Sequence, residues 1–423
     1  MDDDRVACRN PDCSHRILPT TAARTDGYCM PCVRAREKQE YDDYIKKNRK
    51  TVNIFEGISD PVEMLKRVHL PPANDPLIFW VPCPVATDTL YQQLTPSQAS
   101  EMACHAEALF DNDEYEQAQE ICLCLAAFTE ANLDNCLRQW VEDEEDFDCY
   151  PAFPFHRAPA DVRDTLLQRV EYDEENRSNL LCALAWIGDS AVVERFNHWR
   201  QTPPTWRHSL YIPPEDYART AGWELTQSGG RRNLYFPQCI HLTRQPSTAS
   251  RPFSTIIKQG ENCPHCHLPL INLFEIAPDA LGINNWPGAL RMMTCECCSV
   301  YHPVYSQIDD KGKPQLHPKN PLSALAVENA KDWCPLPING LYPAEDRLPL
   351  FAADELLPTT FSQIGGHPTW VQDAEYPQCP ECSQTMTFIA QIDCHDIDTY
   401  LAGMLYGFIC PSCKTTATTH QQT

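Results

Sequence analysis

The sequence predicts a multidomain α+β protein that begins with a four-cysteine module, continues with α-helical repeats and ends in a strand-rich domain containing two related four-cysteine modules. Three observations predict this architecture. Twelve of the 23 cysteines fall into three groups of four. A pattern of apolar residues with helical spacing occurs twice in the middle of the chain, and alternating apolar residues follow cysteine pairs nearer its end.

The length and composition of the chain are consistent with a folded protein of several domains. The chain has 423 residues, of which 43% are hydrophobic and 22% charged. This composition is typical of folded proteins, and the length suits about three domains of roughly 150 residues. The apolar runs are shorter than the ~20 residues of a membrane span, and the start, MDDDRVAC, lacks the basic and apolar regions of a signal peptide. We therefore expect a cytoplasmic protein without membrane contact, whose thiols stay reduced.

Each cysteine group consists of two close pairs, a spacing typical of tetrahedral zinc sites. The groups are Cys8, Cys13, Cys29 and Cys32; Cys263, Cys266, Cys295 and Cys298; and Cys379, Cys382, Cys410 and Cys413. In the second group Cys297 is an alternative to Cys298, but the C-x2-C spacing favours Cys298. Four thiolates leave no coordination position open for water, so we expect three structural zinc ions rather than catalytic ones.

The N-terminal zinc module is expected to span residues 1–52. After Cys32 the segment VRAREKQEYDDYIKKNRK is rich in helix-forming residues of mixed charge and predicts an exposed helix. Its basic end, Lys46 to Lys50, is a short candidate for nucleic-acid contact. Residues 53–95 are expected to connect this module to the helical repeats.

The helical repeats are predicted at residues 96–204. Two 24-residue stretches that start at Gln117 and Asn176 match in register with a period of 59 residues. Each has the pattern of a helix, a short turn and a second helix. In the second copy Gly188 is expected to end one helix and Asp189 to cap the next. Paired helices of this kind are similar to HEAT repeats and suggest a fragment of an α-solenoid.

Residues 205–423 are predicted to form a strand-rich domain with two zinc-ribbon-like modules. The segments NCPHCHLPLINLFEIA and QCPECSQTMTFIAQID align, and in both a cysteine pair leads into alternating apolar residues typical of a strand. A second cysteine pair follows in each copy, as MTCECC and FICPSC. We expect the two modules to pack together, joined by the proline-rich stretch from about Pro314 to Pro358.

The C-terminal module also carries a recognisable series of motifs. The segment FSQIGGHPTWVQ, from Phe361 to Gln372, is followed by the third group's first cysteine pair, by MTFIAQID and by GMLYGFICPSC. This order of motifs resembles the YwqG-like family of bacterial proteins of unknown function, over roughly residues 355–415. The resemblance implies the family's fold for this segment alone and implies no catalytic residues. The preceding module keeps the cysteines but lacks the Ile-Gly-Gly-x-Pro element.

The formal net charge of −24 narrows the classes of partner. An acidic surface repels nucleic-acid backbone and attracts basic proteins. The run VEDEEDFD lies between the two helical copies and supplies the candidate partner contacts Glu142, Asp143, Glu144, Glu145, Asp146 and Asp148. A loop at one edge of a helical repeat array is a common place for such contacts.

No common catalytic motif is present in the sequence: a nucleophile elbow, a P-loop, a zincin motif and a dinucleotide-binding fingerprint are all missing. We therefore expect a binding protein rather than an enzyme. The C-terminal family and HEAT-like repeats are similar to parts of bacterial immunity proteins, which neutralise toxins delivered between cells. That resemblance implies a cytoplasmic protein that holds a basic toxin. The alternative is a zinc-ribbon nucleic-acid or transcription-associated factor.

Overall fold

The structure is a computed structural model that describes residues 4–142, 147–149, 152–245, 253–336, 340–346, 362–399 and 402–422. The chain divides into two compact units, residues 1–85 and residues 86–423. Over the described residues, no helix combines the length and the apolar character needed to cross a membrane.

The first unit has little apolar core around its cysteines. Its elements are β1 (Val6–Ala7), β2 (Arg16–Ile17), α1 (Pro19–Arg24), α2 (Met30–Asn48), β3 (Lys50–Val52), α3 (Pro61–His69) and β4 (Ile78–Trp80). Strands β1 and β2 pair antiparallel, and β3 and β4 pair parallel. Among residues 4–48, all of which the structure describes, only Cys8, Ile17 and Cys29 are buried, and the 19-residue helix α2 has no buried side chain. Helix α3 is more conventional, because Asp60 caps it and Val62 and Leu65 are fully buried.

The second unit begins with a helical segment. Its elements are α4 (Thr87–Gln92), α5 (Pro96–Phe110), α6 (Tyr115–Phe128), α7 (Asp134–Glu142), α8 (Ala160–Tyr172), α9 (Arg177–Ile187) and α10 (Ser190–Gln201), with 3-10 turns at Phe153–Arg157, Thr205–Ser209 and Pro214–Ala221. Thr95 and Gln98 form a reciprocal capping box at the start of α5. This arrangement of side chains fixes where the first long helix of the segment begins.

The two sequence copies form matching helix pairs, α6 with α7 and α9 with α10. Leu125 and Leu184 occupy equivalent positions in the two copies, and both side chains are completely buried. Residues that align in the sequence therefore also occupy equivalent places in the core. Gly188 ends α9 in the left-handed region with φ of 49°. Asp189 accepts a hydrogen bond from the Val192 N–H and caps α10.

The rest of the second unit is built from strands. They are β5 (Trp223–Leu225), β6 (Arg231–Asn233), β7 (Cys239–Thr243), β8 (Phe253–Asn262), β9 (Pro269–Ile276), β10 (Leu290–Thr294), β11 (Val304–Ile308), β12 (Pro314–Leu316), β13 (Tyr342–Asp346), β14 (Gln363–Gly365), β15 (Thr387–Asp393), β16 (Met404–Cys410) and β17 (Thr415–Gln421). Short helices are α11 (Glu296–Ser299), α12 (Ala324–Asn329) and α13 (Cys394–Ile397), with a 3-10 turn at Pro278–Leu281. The mixed helical and sheet composition predicted from the sequence is confirmed.

Eight strands form one antiparallel sheet in the order β12-β11-β17-β16-β15-β14-β7-β13. Strands β8, β9 and β10 form a separate three-stranded sheet. Apolar residues of both sheets meet in one core, in which Leu273, Phe274, Ile389 and Ile409 are fully buried. The eight-stranded and the three-stranded sheet therefore share one apolar core.

The two C-terminal copies have the same order of elements: a cysteine pair, two strands, a second cysteine pair and a third strand. These third strands, β11 and β17, pair directly, with Val304 opposite Thr418 and Gln307 opposite Thr415. The stretch expected to be only a connection contributes strands too, because β12 and β13 lie at opposite edges of the large sheet. Residues 347–358 of that stretch lie outside the described residues.

The helical segment packs against the sheet through aromatic residues. The centroids of the Trp186 and His367 rings are 4.5 Å apart. The Trp223 indole N–H donates to the Ala185 carbonyl at 2.7 Å, and Arg231 donates to the Gly188 carbonyl at 2.6 Å. His367 is therefore a buried packing residue, and burial lowers the pKa of its imidazole to about 3.

Candidate metal centres and an acidic edge

The structure brings the twelve predicted cysteines together in three groups of four. Within each group all four Sγ atoms lie within 4.8 Å of one another. Individual Sγ–Sγ separations include 3.3 Å for Cys266 with Cys295 and 3.8 Å for Cys263 with Cys298. A tetrahedron with metal–sulfur bonds of about 2.3 Å has edges of about 3.8 Å, whereas a disulfide is about 2.05 Å long. None of the 23 cysteines, all of which lie in the described part of the chain, forms a disulfide.

The first group is held by a loop and a helix start. Cys8 and Cys13 lie in the turn between β1 and β2, and Cys29 and Cys32 lie at the first turn of α2. The Cys29 N–H donates to the Cys8 sulfur at 3.2 Å, and the Asn10 amide donates to the Cys32 sulfur at 3.4 Å. Amide donors and a helix N-terminus both favour thiolates over thiols. The group therefore fits a cation bound by four thiolates.

The second group is fully buried. Its first pair lies in a tight turn before β9. In its second pair, Cys295 directly precedes α11 and Cys298 lies within that helix. Cys298, not Cys297, belongs to the group. The Cys297 thiol instead donates to the Ala326 carbonyl at 3.2 Å. Apolar side chains that pack around this group, including Leu270, shield the sulfurs from water.

The first turns of the second and third groups have the same hydrogen bonds. Cys263 N–H donates to Leu268 C=O and His267 N–H to Cys263 C=O, at 2.8 and 3.0 Å. In the third group Cys379 N–H donates to Gln384 and Ser383 N–H to Cys379, at 2.8 and 2.9 Å. His267 and Ser383 both adopt left-handed backbone, with φ of 64° and 59°. The aligned sequences therefore fold into the same cysteine-pair turn.

The third group lies in the large sheet. Cys379 and Cys410 are buried in a core with Phe388, Tyr406 and Phe408. Glu381, within the first turn, accepts hydrogen bonds from Lys319 and His317, which lower the pKa of its carboxyl. These bonds tie the turn to the chain that follows β12.

Metal binding by these groups is expected to release protons. Burial, together with a hydrogen bond to Cys382, raises the pKa of the Cys413 thiol to about 11 in the absence of a cation. This thiol is therefore protonated at neutral pH until a metal displaces its proton. Because this thiol holds its proton up to about pH 11, metal affinity should rise with pH throughout the range below that value. Titration calorimetry in buffers of different ionisation enthalpy checks this, and metal uptake without proton release would contradict thiolate ligation.

The predicted partner-binding run is described only in part. Glu142 and Asp148 are exposed, whereas Asp143, Glu144, Glu145 and Asp146 lie outside the described residues. The Trp140 indole N–H donates to the Asp148 carbonyl at 3.0 Å and holds the far end of the run against α7. Both described ends of this run are therefore at the same end of α7.

Hydrogen bonds gather four acidic segments at one end of the helical segment. Gln139 donates to Asp111 at 2.6 Å, Arg169 donates to the Val141 carbonyl at 2.8 Å, and the Phe147 N–H donates to the Asn176 side chain at 3.2 Å. We call the acids of these segments the acidic edge: Asp111, Asp113, Glu114, Glu116, Glu142, Asp148, Glu171, Asp173, Glu174 and Glu175. All except the partly buried Asp173 are exposed.

The charge of the chain is concentrated in this segment. Residues 96–204 hold 23 acidic residues against seven arginines and no lysine, a formal charge of −16 out of −24. Residues 1–85, by contrast, hold 13 acidic and 13 basic residues. The seven arginines are bound within the molecule, for example Arg138 to Asp161 and Arg163 to Asp189, both at 2.6 Å. Little cationic charge is therefore available to offset the acids that face solvent.

The sequence interpretation missed most of the acidic edge. It selected the continuous run at residues 141–148 and overlooked the loops at 111–116 and 171–175. A signal was present, since these two loops are separated by about the 59-residue period of the helical repeat. Equivalent loops of repeated helix pairs lie along one edge of the array, so the period places the acids side by side.

Comparisons with known proteins extend the match to the full chain. The chain is 59% identical over 425 residues to "Uncharacterized protein YpfL" of Salmonella typhimurium (strain LT2), and the alignment covers all of both proteins. The family model "Domain of unknown function (DUF1963)" matches residues 362–422, the segment that carries the YwqG-like motifs. No solved structure matches significantly.

Proposed function

Because the chain belongs to the family of the Salmonella protein YpfL, we propose one function for the shared architecture: a non-enzymatic protein that binds a basic protein partner along the acidic edge. The single observation that carries this proposal is the convergence of four acidic segments at one end of the helical segment. Acidic residues on adjacent loops of a rigid scaffold form a negatively charged surface, and such a surface steers a positively charged partner toward it.

Zinc is the metal that we propose for the three cysteine groups. Four thiolates with tetrahedral spacing match its preferred ligands, and a site closed by four sulfurs has a structural role. The observed Sγ–Sγ separations of 3.3 to 3.8 Å fit this geometry. We expect close to three zinc ions per chain by elemental analysis.

We propose that this binding neutralises a toxin. Support comes from the resemblance of the C-terminal motifs and of the helix pairs, which we take as HEAT-like, to parts of bacterial immunity proteins. The cytoplasm is the compartment that we propose, because free thiols in metal groups persist under reducing conditions. Electrostatic steering by the edge would let the protein capture a basic toxin domain before the toxin reaches its target.

The neighbouring genes can identify the partner protein needed to test this proposal. If a neighbouring gene encodes a basic toxin domain, co-expression of this protein should restore growth of cells that produce the toxin. Failure to rescue, with both proteins present and folded, would contradict the immunity role. Binding to duplex DNA at physiological salt in preference to the basic domain would favour the nucleic-acid alternative instead.

Removing charge from the acidic edge should slow association with that partner. The double variant Glu174→Gln/Glu175→Gln is expected to lower the association rate several-fold at low salt and to change dissociation much less, because exposed charges act mainly on encounter. Stopped-flow or surface-based kinetics at two salt concentrations measure this, since about 0.1 M salt screens charges beyond ~10 Å. The matched control Asp279→Asn/Glu328→Gln removes two exposed acids from the strand-rich part. Equal slowing by both variants would show that net charge, rather than the edge, matters.

A further inference from the structure

A cleft in the strand-rich part has the shape and chemistry of a ligand site. It has a volume of about 470 Å³ and lies between α11, the chain that follows α12, and the ends of β16 and β17. Clefts of 300 to 1,000 Å³ are typical of sites for small molecules. Its floor is apolar, with Leu336 and Leu405 buried beneath it.

Aromatic side chains form part of the wall of this cleft. Tyr301 and Trp333 both line it and both are partly exposed. The Trp333 indole N–H donates to Glu296 Oε2 at 3.3 Å, and the Leu336 N–H donates to the same oxygen at 2.8 Å. Asn329 donates to the Tyr301 hydroxyl. The two rings are thus held in place before any ligand arrives.

The charged side chains that line the cleft are acidic. Glu296 is buried within the cleft and Asp332 is exposed at its lining, whereas none of the lining residues, all from the described part of the chain, is lysine or arginine. His420 adds no positive charge, because burial lowers the pKa of its imidazole. Cys295 and Cys298 lie on either side of Glu296 in the sequence, and a zinc ion with four thiolates would add a formal −2 nearby.

We propose that this cleft binds a small organic cation, an ammonium or guanidinium group carried on an apolar body. The apolar body would pack on Leu336 and Leu405, and the cation would lie against the aromatic rings and the two carboxylates. Cation–π contacts and carboxylates favour such a group over neutral or anionic compounds of the same shape. This site is separate from the acidic edge and does not depend on the proposed function.

Benzylammonium is a suitable probe, with benzyl alcohol and benzoate as neutral and anionic controls of similar size. Calorimetry on the full, metal-loaded chain should show one site that binds benzylammonium at least tenfold more tightly than benzyl alcohol and shows no binding of benzoate. Equal affinity for all three compounds would overturn the cation proposal, and so would tighter binding of benzoate.

Substitutions of the residues that line the cleft test whether benzylammonium binds there. Trp333→Leu and Glu296→Gln should each weaken benzylammonium binding at least tenfold, while Trp333→Phe retains part of it. Tyr211→Leu, which removes a fully exposed aromatic ring outside the cleft, should have no effect. Unchanged metal content and circular dichroism show that each variant is folded. Unchanged affinity in folded Trp333→Leu would place the binding elsewhere and overturn the proposal.

Two further measurements separate this site from the partner surface. Glu174→Gln/Glu175→Gln should bind benzylammonium normally, so loss of binding in this variant would contradict an independent cleft. The cation could be a free amine or a lysine or arginine side chain of a bound protein. Saturating benzylammonium should block partner binding in the second case and leave it unchanged in the first, and either result supports a site for a cation.

Discussion

Replacing Cys29 by serine is expected to unfold the first metal module completely. In the described part of the module only Cys8, Ile17 and Cys29 are buried, and α2 buries no side chain. Structural zinc contributes on the order of 10 kcal/mol in small zinc domains, far more than these few apolar residues can supply. Helices in proteins gain most of their stability from packing against other elements, which α2 lacks. Hydrogen exchange should therefore show loss of protection from about residue 5 to residue 48.

Two controls make this result specific. Cys104→Ser removes an exposed thiol outside the three groups and should change neither metal content nor protection. Cys410→Ser should release the third metal and loosen its turns, but the surrounding Phe388, Tyr406 and Phe408 keep an apolar core. Retention of protection in the first module of Cys29→Ser would show that metal does not hold that module together.

Gly365→Ala is expected to disrupt the large sheet. Gly365 has φ of 67°, and a Cβ built on it would lie 1.9 Å from the Gln238 carbonyl oxygen and 2.9 Å from a Leu281 methyl group. The backbone oxygen belongs to the chain entering β7, and it cannot move without breaking the pairing of Gly365 with Cys239. We expect a loss of about 4 kcal/mol or more in the free energy of unfolding, since left-handed strain adds to the clash. Denaturant unfolding measures this loss.

Gly282→Ala is the matched control. Gly282 has the same φ of 67°, but no atom lies within 4 Å of the position that its Cβ would occupy. This variant should cost only the left-handed strain, about 1 kcal/mol. Similar losses in the two variants would mean that backbone conformation alone, and not the contact with Gln238, requires glycine at residue 365.

The three four-cysteine groups were the most predictable part of the molecule. A cysteine pair with two residues between its members is a local pattern, and the turn that it makes is fixed by a few backbone hydrogen bonds, such as that from Ser383 to Cys379. The helix pairs were predictable for a similar reason, because Leu125 and Leu184 keep one register over a 59-residue period. Each cysteine turn and each helix pair is thus written in a short local pattern, and the helical pattern occurs a second time 59 residues later.

The pairing between distant segments was not predictable from local pattern. Strand β7 lies between β13 and β14, about 100 and 120 residues further along the chain. No periodicity links such segments, since register between them is set by the shared core rather than by a turn. The residues around Pro314 and Tyr342 were therefore expected to be a connection although they contain the two edge strands of the sheet. The cleft was missed for the same reason, because Glu296, Trp333 and His420 are far apart in sequence.

The direct pairing of β11 with β17 has a consequence for folding kinetics. These strands are more than 100 residues apart and lie inside the sheet, second and third from the β12 edge, so the sheet closes only after long-range contacts form. Folding rates fall as the mean sequence separation of contacts rises. The first metal module, whose ligands span 25 residues, should form early, and the large sheet should form slowly. Until β17 arrives, β11 and β16 expose open backbone edges that are prone to association with other chains. Refolding yield should therefore fall steeply as protein concentration rises, even where the native state itself is stable.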